Sequence, residues 1–180
     1  NSIFNLGEYE SALGAYATAL KLKPKSKELI ISAGKCCSKL GHYSDGLEYY
    51  QSLLPEYPFD SNVRTGVASC LIGLNRESEA VAFLGKDIDK SYEPEKDYYL
   101  LSLVSYNNFK LDSALKFAAK GHELNPDYLP VLKMYGTCLG RLNIHSLAID
   151  ILETAFDHFV KKHYKKLQEK FHISKEELKE

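Results

Sequence analysis

A regular spacing of small residues is the feature that most constrains this sequence. Five of them stand at equal intervals: Ala12, Gly46, Ala80, Ala114 and Ala148. The residue after each of them is apolar: Leu13, Leu47, Val81, Leu115 and Ile149. A period between about 20 and 50 residues indicates stacked repeats, and a period of about 34 residues, as here, is typical of helix–turn–helix units. The sequence therefore predicts an all-α solenoid of about five antiparallel helix pairs.

The repeat register predicts where each unit begins and ends. Prolines fall near the expected ends of units, and proline cannot continue a helix. The units that we expect are a partial first repeat at 1–26, full repeats at 27–60, 61–94, 95–128 and 129–162, and a capping region at 163–180. All of them belong to one solenoid domain.

Each helix pair needs a turn, and glycine or asparagine adopts the left-handed backbone of such turns most readily. We therefore expect the turns at Gly7, Gly41, Asn75 and Asn143. The fourth unit departs from this pattern, because Asn108 stands where the other units have leucine. We expect Asn108 to form the turn and Phe109 to fill the apolar position. The second helix of the third unit is expected to extend through Ile88.

The last helix is expected to run to about Lys170 and to cover the open end of the stack. Its apolar residues continue with amphipathic spacing at Phe159, Val160, Tyr164, Leu167 and Phe171. The basic run at 161–166 is interpreted as its solvated face. Ser174 with Glu177 three residues later forms a capping box, which predicts the start of one more helix.

Composition excludes several classes of function. The formal net charge of −1 gives no electrostatic reason to expect nucleic-acid binding. No apolar run reaches the roughly 18–20 residues that a membrane span needs. The chain opens and closes within helical patterns and shows no secretory leader, so we expect it to be a fragment of a longer protein.

The cysteines follow the repeat rather than a metal-binding spacing. Cys36 and Cys70 stand one repeat period apart, Cys138 stands two periods further on, and Val104 occupies the same position in the unit between them. Such a position is a small buried apolar one, because free cysteine packs as a small hydrophobic residue. We therefore expect no metal site, no disulfide and no cofactor, and reduced thiols favour a cytoplasmic location. No catalytic group of acids and bases can be named, so an enzyme is not expected.

The chain resembles the tetratricopeptide repeat (TPR) family, whose pattern combines small, aromatic and proline positions within about 34 residues. The second unit supplies most of it. The matching residues there are Gly34, Gly46, Tyr50 and Pro58. The first unit adds Ala12, Tyr16 and Pro24, the fourth Ala114 and Pro126, and the fifth Gly136 and Ala148. The resemblance covers about residues 1–160 and departs from the pattern at Arg64, where a bulky aromatic is expected, and at Tyr92 and Val160, where proline is expected.

This resemblance implies a right-handed superhelix whose concave groove holds a peptide or a partner helix. The first helix of each pair lines such a groove. The groove residues carried over in this way are Lys35, Lys39, Thr65, Ser69, Ile72, Lys96, Tyr99, Leu103, Tyr106, Asn107, Lys133, Thr137 and Arg141. Because their cations flank an apolar and aromatic middle, the expected partner is an acidic protein segment with apolar anchors. The alternative interpretations are that the lysines form a solvated helix face and that Tyr99 and Tyr106 only pack between units.

The resemblance also indicates which classes of partner are not expected. One TPR subset binds a chaperone's terminal carboxylate through Lys and Asn in one first helix, Asn in the next, and Lys and Arg in the one after. The positions here would be Ile31, Lys35, Gly66, Lys96 and Leu100, so a chaperone C-terminal tail is not expected. A related helical repeat with a slightly longer period reads RNA, but the period here does not match it. An alternative function is a structural or self-associating piece, a homo-oligomer whose groove its own chain or a second copy fills.

Overall fold

The structure, a computed structural model, describes residues 2–171 of the chain, and this described part is helical. Its α-helices are α1 (Ser2–Leu22), α2 (Lys27–Leu40), α3 (Tyr43–Leu53), α4 (Ser61–Gly73), α5 (Glu77–Gly85), α6 (Pro94–Asn107), α7 (Leu111–Leu124), α8 (Leu129–Arg141) and α9 (His145–Phe171). A short 3-10 turn, Ile88–Lys90, separates α5 from α6. α9 extends about as far as the sequence predicted. The capping box at Ser174 and Glu177 lies outside the described residues.

The helices form two layers. α2, α4, α6 and α8 pack in that order against one another and form an inner layer. Each of the remaining helices packs against the inner helices next to it in the chain, which places it in an outer layer. This arrangement of antiparallel pairs is the all-α solenoid that the sequence predicted.

The small residues of the repeat mark the closest contacts between the layers. Ala80, Ala114 and Ala148 are buried, and a Cβ on Gly46 would lie 3.0 Å from the Cys70 sulfur. Interiors as dense as this leave no room for larger side chains. The repeated small position therefore lets paired helices approach closely.

The cysteine position is confirmed as part of the core. Cys36, Cys70 and Cys138 are buried with free thiols, and Val104 is buried at the same repeat position. Cys37 is a fourth buried free thiol. Burial raises the pKa of these four thiols, which makes the reactive thiolate scarce at neutral pH. The cysteines are therefore packing residues.

The turn of the fourth unit differs from the prediction. In the turns between α2 and α3, α4 and α5, α6 and α7, and α8 and α9, the left-handed residues stand one repeat period apart: Gly41 (φ 80°), Asn75 (φ 58°), Phe109 (φ 57°) and Asn143 (φ 60°). Phe109, rather than Asn108, adopts the strained conformation, and its side chain is 94% exposed instead of filling an apolar position. Asn108 stays near the helix end and donates from Nδ2 to the Val104 carbonyl (2.9 Å). Repeat register therefore outweighs residue preference at this turn.

The predicted turn at Gly7 does not form. α1 is continuous from Ser2 to Leu22, and a Cβ placed on Gly7 would meet nothing within 4 Å. Glycine permits a left-handed turn but does not force one, and its cost inside a helix is only about 1 kcal/mol. Without a neighbouring helix packed against this position, the helical hydrogen bonds continue.

The third unit also departs from the prediction, because α5 ends at Gly85 and not beyond Ile88. The cause is Arg64, which is buried and donates from Nη2 to the carbonyls of Leu84 (2.7 Å) and Lys86 (3.2 Å). Its Nε donates to Asp97 Oδ2 at 2.7 Å, in α6. Arg64 thus ends α5 and joins the third unit to the fourth through a buried ion pair.

The start of α4 carries a capped helix terminus. Asp60 Oδ1 accepts from the backbone N–H groups of Asn62 (2.9 Å) and Val63 (3.2 Å), and Lys27 Nζ lies 2.6 Å from Asp60 Oδ2. Burial opposes ionisation of Asp60, but the hydrogen bonds from Lys27 and these N–H groups outweigh it, so the pKa of Asp60 lies below its usual value. The cap therefore ties α2 to α4.

Candidate functional site

The candidate site is the exposed face of the inner layer. Residues one repeat period apart occupy equivalent places in successive inner helices, so they line one continuous face. One such row is Lys35, Ser69, Leu103 and Thr137, and another includes Lys39, Asn107 and Arg141. Every predicted groove residue is exposed or half-buried, while most of its neighbours in the same helix are buried. The register thus presents these side chains on a common surface.

A hollow of about 500 Å³ opens between α2 and α4. Its lining includes the predicted residues Lys35, Lys39 and Ser69 together with Tyr9 and Tyr43. Two ammonium groups therefore stand beside aromatic surface, which suits a segment that carries both acidic and apolar side chains.

The floor of this hollow is the ring of Tyr50, which reaches the inner layer from α3. A Cβ placed on Gly34 would lie 2.8 Å from the ring, and one placed on Gly66 would lie closer still, so the ring is held between two glycines. The hydroxyl donates to the Ile31 carbonyl at 3.5 Å, a long hydrogen bond. Burial, as the main cause, raises the pKa of Tyr50 well above its usual value. The floor is therefore a fixed, neutral aromatic surface.

A second hollow of about 580 Å³ lies at the other end of the inner layer. It is lined by Tyr106, Asn107, Arg141, Phe109 and Leu111. Arg141 Nε donates to the Tyr106 hydroxyl at 3.0 Å, and its guanidinium carbon lies 5.8 Å from the centre of the Tyr106 ring. The contact joins α6 to α8, so Tyr106 both packs between units and borders a hollow.

The residues between the two hollows are already engaged within the fold. Lys96 Nζ lies 2.6 Å from Glu93 Oε2, and the Tyr99 ring meets Tyr128 edge-on with 6.3 Å between ring centres. Leu103 is half-buried and lines neither hollow. The structure therefore gathers the predicted residues into two groups with a more closed middle.

Four of the predicted cations have no acidic partner among the side chains that the structure describes, and one of these, Arg141, is held by the Tyr106 hydroxyl instead. Among the side chains that the structure describes, no carboxylate forms an ion pair with Lys35, Lys39 or Lys133, whose side chains are exposed. A lysine without an internal partner is available to an acidic ligand. The positive charge is thus free at both ends of the face.

Sequence reasoning missed a row of wall residues at the start of the outer helices. Tyr9, Tyr43 and Leu111 line the two hollows, and they occupy one repeat position in the first, second and fourth units. The repeat spacing, applied to the outer helices, could have found them. The inner helices therefore supply the face, and the outer helices supply its rim.

A further hollow, of about 790 Å³, lies on the outer side of α1, α2 and α3. Its lining includes Leu13, Leu20, Ile30 and Tyr49, and no predicted groove residue contributes to it. Among the side chains that the structure describes, no cluster of three or more histidine, cysteine or acidic residues is placed to hold a metal ion. The described helices include none with the length and apolar character of a membrane span.

Comparison with known proteins agrees with this geometry. A family model described as tetratricopeptide repeat matches residues 5–70. The solved structure of MamA aligns with a TM-score of 0.64 at 20% identity, covering 88% of this chain and 92% of that one. No curated protein matches the sequence at a significant level.

Two further solved structures carry the family name. TTC0263, described as a thermophilic TPR protein in Thermus thermophilus, aligns with a TM-score of 0.64 at 18% identity and covers 88% of this chain and 84% of that one. YrrB, described as a TPR protein with an unusual peptide-binding site, aligns with a TM-score of 0.53 at 19% identity, covering 91% of this chain and 87% of that one. Residues 5–70 thus match the tetratricopeptide repeat family, and the described part of the chain shares the solenoid fold of these proteins.

Proposed function

We propose that this chain is a non-enzymatic interaction module that binds an acidic segment of a partner protein, with apolar anchors, along the exposed face of α2, α4, α6 and α8. The observation that carries the proposal is the hollow between α2 and α4. There Lys35 and Lys39, without an internal partner among the described side chains, stand beside the tyrosine floor. Charge complementarity and aromatic anchors are what recognition surfaces of this kind use.

The spacing of the two hollows sets the length of the segment. Packed helices lie about 8–10 Å apart, and the hollows are separated by two such steps along the inner layer, or roughly 16–20 Å. An extended chain rises about 3.3 Å per residue, so about five or six residues bridge the two hollows. A ligand of about ten residues therefore reaches both Lys35 and Tyr106.

The family supports a protein partner, and one protein with this fold, YrrB, is described as having a peptide-binding site. A chaperone tail remains disfavoured in this proposal, because Ile31, Gly66 and Leu100 stand where that subset uses polar or charged residues. The partner is thus bound through an internal segment rather than through its terminal carboxylate.

The test uses two fluorescent peptides of about ten residues with the same leucines and phenylalanines, one with Glu and Asp and the other with Lys and Arg at the remaining positions. Fluorescence anisotropy should show binding of the acidic peptide only, weakened by added salt. Reversal of both charges, Lys35→Glu with Lys39→Glu, should raise the dissociation constant at least about tenfold. Lys116→Glu, an exposed lysine of α7, is the matched control and should leave binding unchanged.

Peptide length and the second hollow provide an independent check. Tyr106→Ala should weaken the ten-residue acidic peptide but leave a peptide of about four residues unaffected, because the short one cannot span the two hollows. Equal binding of the acidic and basic peptides, or loss of binding in the Lys116→Glu control as large as in the double variant, would contradict the proposal. A dimer that dissociates on Lys35→Glu with Lys39→Glu would place a second copy in the groove instead.

A further inference from the structure

The last helix carries an exposed apolar stripe that the groove does not use. Ile149, Leu152, Phe156 and Val160, together the α9 stripe, follow one another at intervals of three and four residues, which keeps them on one helix face. Their exposed fractions are 55%, 43%, 66% and 44%. Large apolar side chains exposed singly are ordinary, but a contiguous row of them marks an interaction surface.

In earlier units, the positions equivalent to Leu152 are buried. Ala118 stands one repeat period before Leu152 and Leu84 stands two periods before it, and both are completely buried, whereas Leu152 is not. α9 packs on α8 through Ala148 and Ala155, and one side of Leu152 lies against Gly136 of α8 while the rest of its side chain is exposed. No helix of the described part covers the next face of α9. In the earlier helix pairs, the first helix of the following unit packs against the corresponding face of the second helix. Within the described residues, the α9 stripe is therefore a stacking surface that no following helix covers.

The charges along α9 indicate what can cover the stripe. The half of α9 before residue 158 carries Asp150, Glu153 and Asp157. The half after residue 158 carries a cluster of lysines: Lys161, Lys162, Lys165 and Lys166. Two copies of α9 packed in parallel would set like charges together. Packed antiparallel about a two-fold axis near residue 158, each acidic half would meet a basic half.

We propose that the α9 stripe is a self-association surface, on which α9 of a second copy of this chain packs antiparallel by two-fold symmetry. In the sequence, the intervals of three and four residues continue at Tyr164, Leu167 and Phe171, which is the spacing that a seam between two helices requires. A two-fold contact uses the same patch on both copies, and a self-complementary charge pattern satisfies that requirement.

The strength of the contact follows from its size. The helix has 27 residues, which at about 1.5 Å per residue gives a length of roughly 40 Å. A contact one helix wide and this long lies at the low end of stable interfaces, so we expect dissociation on the order of micromolar. Because exposed charges contribute, added salt weakens the dimer.

The first test measures the oligomeric state by sedimentation velocity over about 1–200 µM protein, a range that brackets a micromolar equilibrium. The wild type should pass from monomer to dimer, and Phe156→Asp should remain monomeric with an unchanged helical circular dichroism spectrum. Tyr92→Asp is the matched control, since Tyr92 is an exposed aromatic (71%) outside α9 and its loss should leave dimerisation intact. A wild type that stays monomeric throughout, or a dimer that Phe156→Asp leaves intact, would overturn the proposal and leave the stripe to another protein.

The second test establishes orientation. Asp150→Lys with Glu153→Lys makes the first half of α9 basic like the second, and Lys162→Glu with Lys166→Glu makes the second half more acidic. Each double variant should be monomeric alone, because like charges then face each other. An equimolar mixture of the two should form a heterodimer. Homodimers of either variant, or a mixture that stays monomeric, would exclude the antiparallel charge pairing.

Discussion

Replacement of Gly66 by alanine tests whether the floor of the candidate groove is as tightly held as the structure indicates. A Cβ at this position would lie no more than 2.5 Å from three atoms of the Tyr50 ring. Carbon atoms in contact are normally about 3.5–4.0 Å apart, so the ring would have to move by about 1 Å or more. On its opposite side the ring faces Gly34, where a Cβ would be only 2.8 Å away. The ring therefore has no room to retreat.

The expected cost follows from these contacts. Overpacking costs about 1–3 kcal/mol when the core can adjust, and loss of a buried aromatic costs about 3–5 kcal/mol when it cannot. The higher helix propensity of alanine relative to glycine stabilises the folded state by about 1 kcal/mol and offsets part of this cost. Because the ring is only 2% exposed and confined on both sides, we expect a net loss of about 2–4 kcal/mol in the free energy of unfolding.

The measurement is urea unfolding followed by circular dichroism. Gly14→Ala is the matched control, because Gly14 lies within α1 and a Cβ there would meet nothing within 4 Å. This control should gain up to about 1 kcal/mol. In a Tyr50→Leu background the cost of Gly66→Ala should fall below about 1 kcal/mol, since the clash is removed. Equal costs in both backgrounds, or a Gly66→Ala protein as stable as the wild type, would refute the reasoning.

Three further predictions concern other parts of the fold. Phe109→Gly should stabilise the protein by about 1 kcal/mol, because an exposed phenylalanine is released from a left-handed conformation; thermal denaturation should show a higher midpoint, and a lower one would contradict the assigned strain. Arg64→Met should cost about 3–5 kcal/mol by leaving Asp97 buried without its partner, and Arg64→Met with Asp97→Leu should recover part of it; a double variant less stable than the single one in urea unfolding would count against this account. Asp60→Asn should lower stability by up to about 1 kcal/mol at pH 7, because asparagine still caps α4 but loses the ion pair with Lys27. The pKa of Asp60 is lowered on folding, so its contribution is present above its unfolded pKa of about 3.9 and is lost as pH falls through the folded pKa. The stability difference between wild type and Asp60→Asn should therefore shrink between about pH 5 and pH 2, and a constant difference would exclude the ionised cap.

The repeat period determined much of this protein. It predicted the helix pairs and the buried cysteine position at Cys36, Cys70 and Cys138, and the family resemblance added the expectation of a groove face that includes Lys35 and Arg141. These features repeat because each unit buries the same side against its neighbour, so local spacing is enough to locate them. The period also fixes the left-handed turn at Phe109, although residue preference had favoured Asn108.

Only the tertiary structure decided the features that depend on contacts between units. Arg64 is a departure from the repeat pattern in sequence, and the fold shows it ending α5 and pairing with Asp97. The groove residues divide into two hollows because Lys96 and Tyr99 find partners in Glu93 and Tyr128. A repeat pattern records what each unit presents to its neighbour, but the partner that a side chain reaches depends on the three-dimensional packing of several units at once.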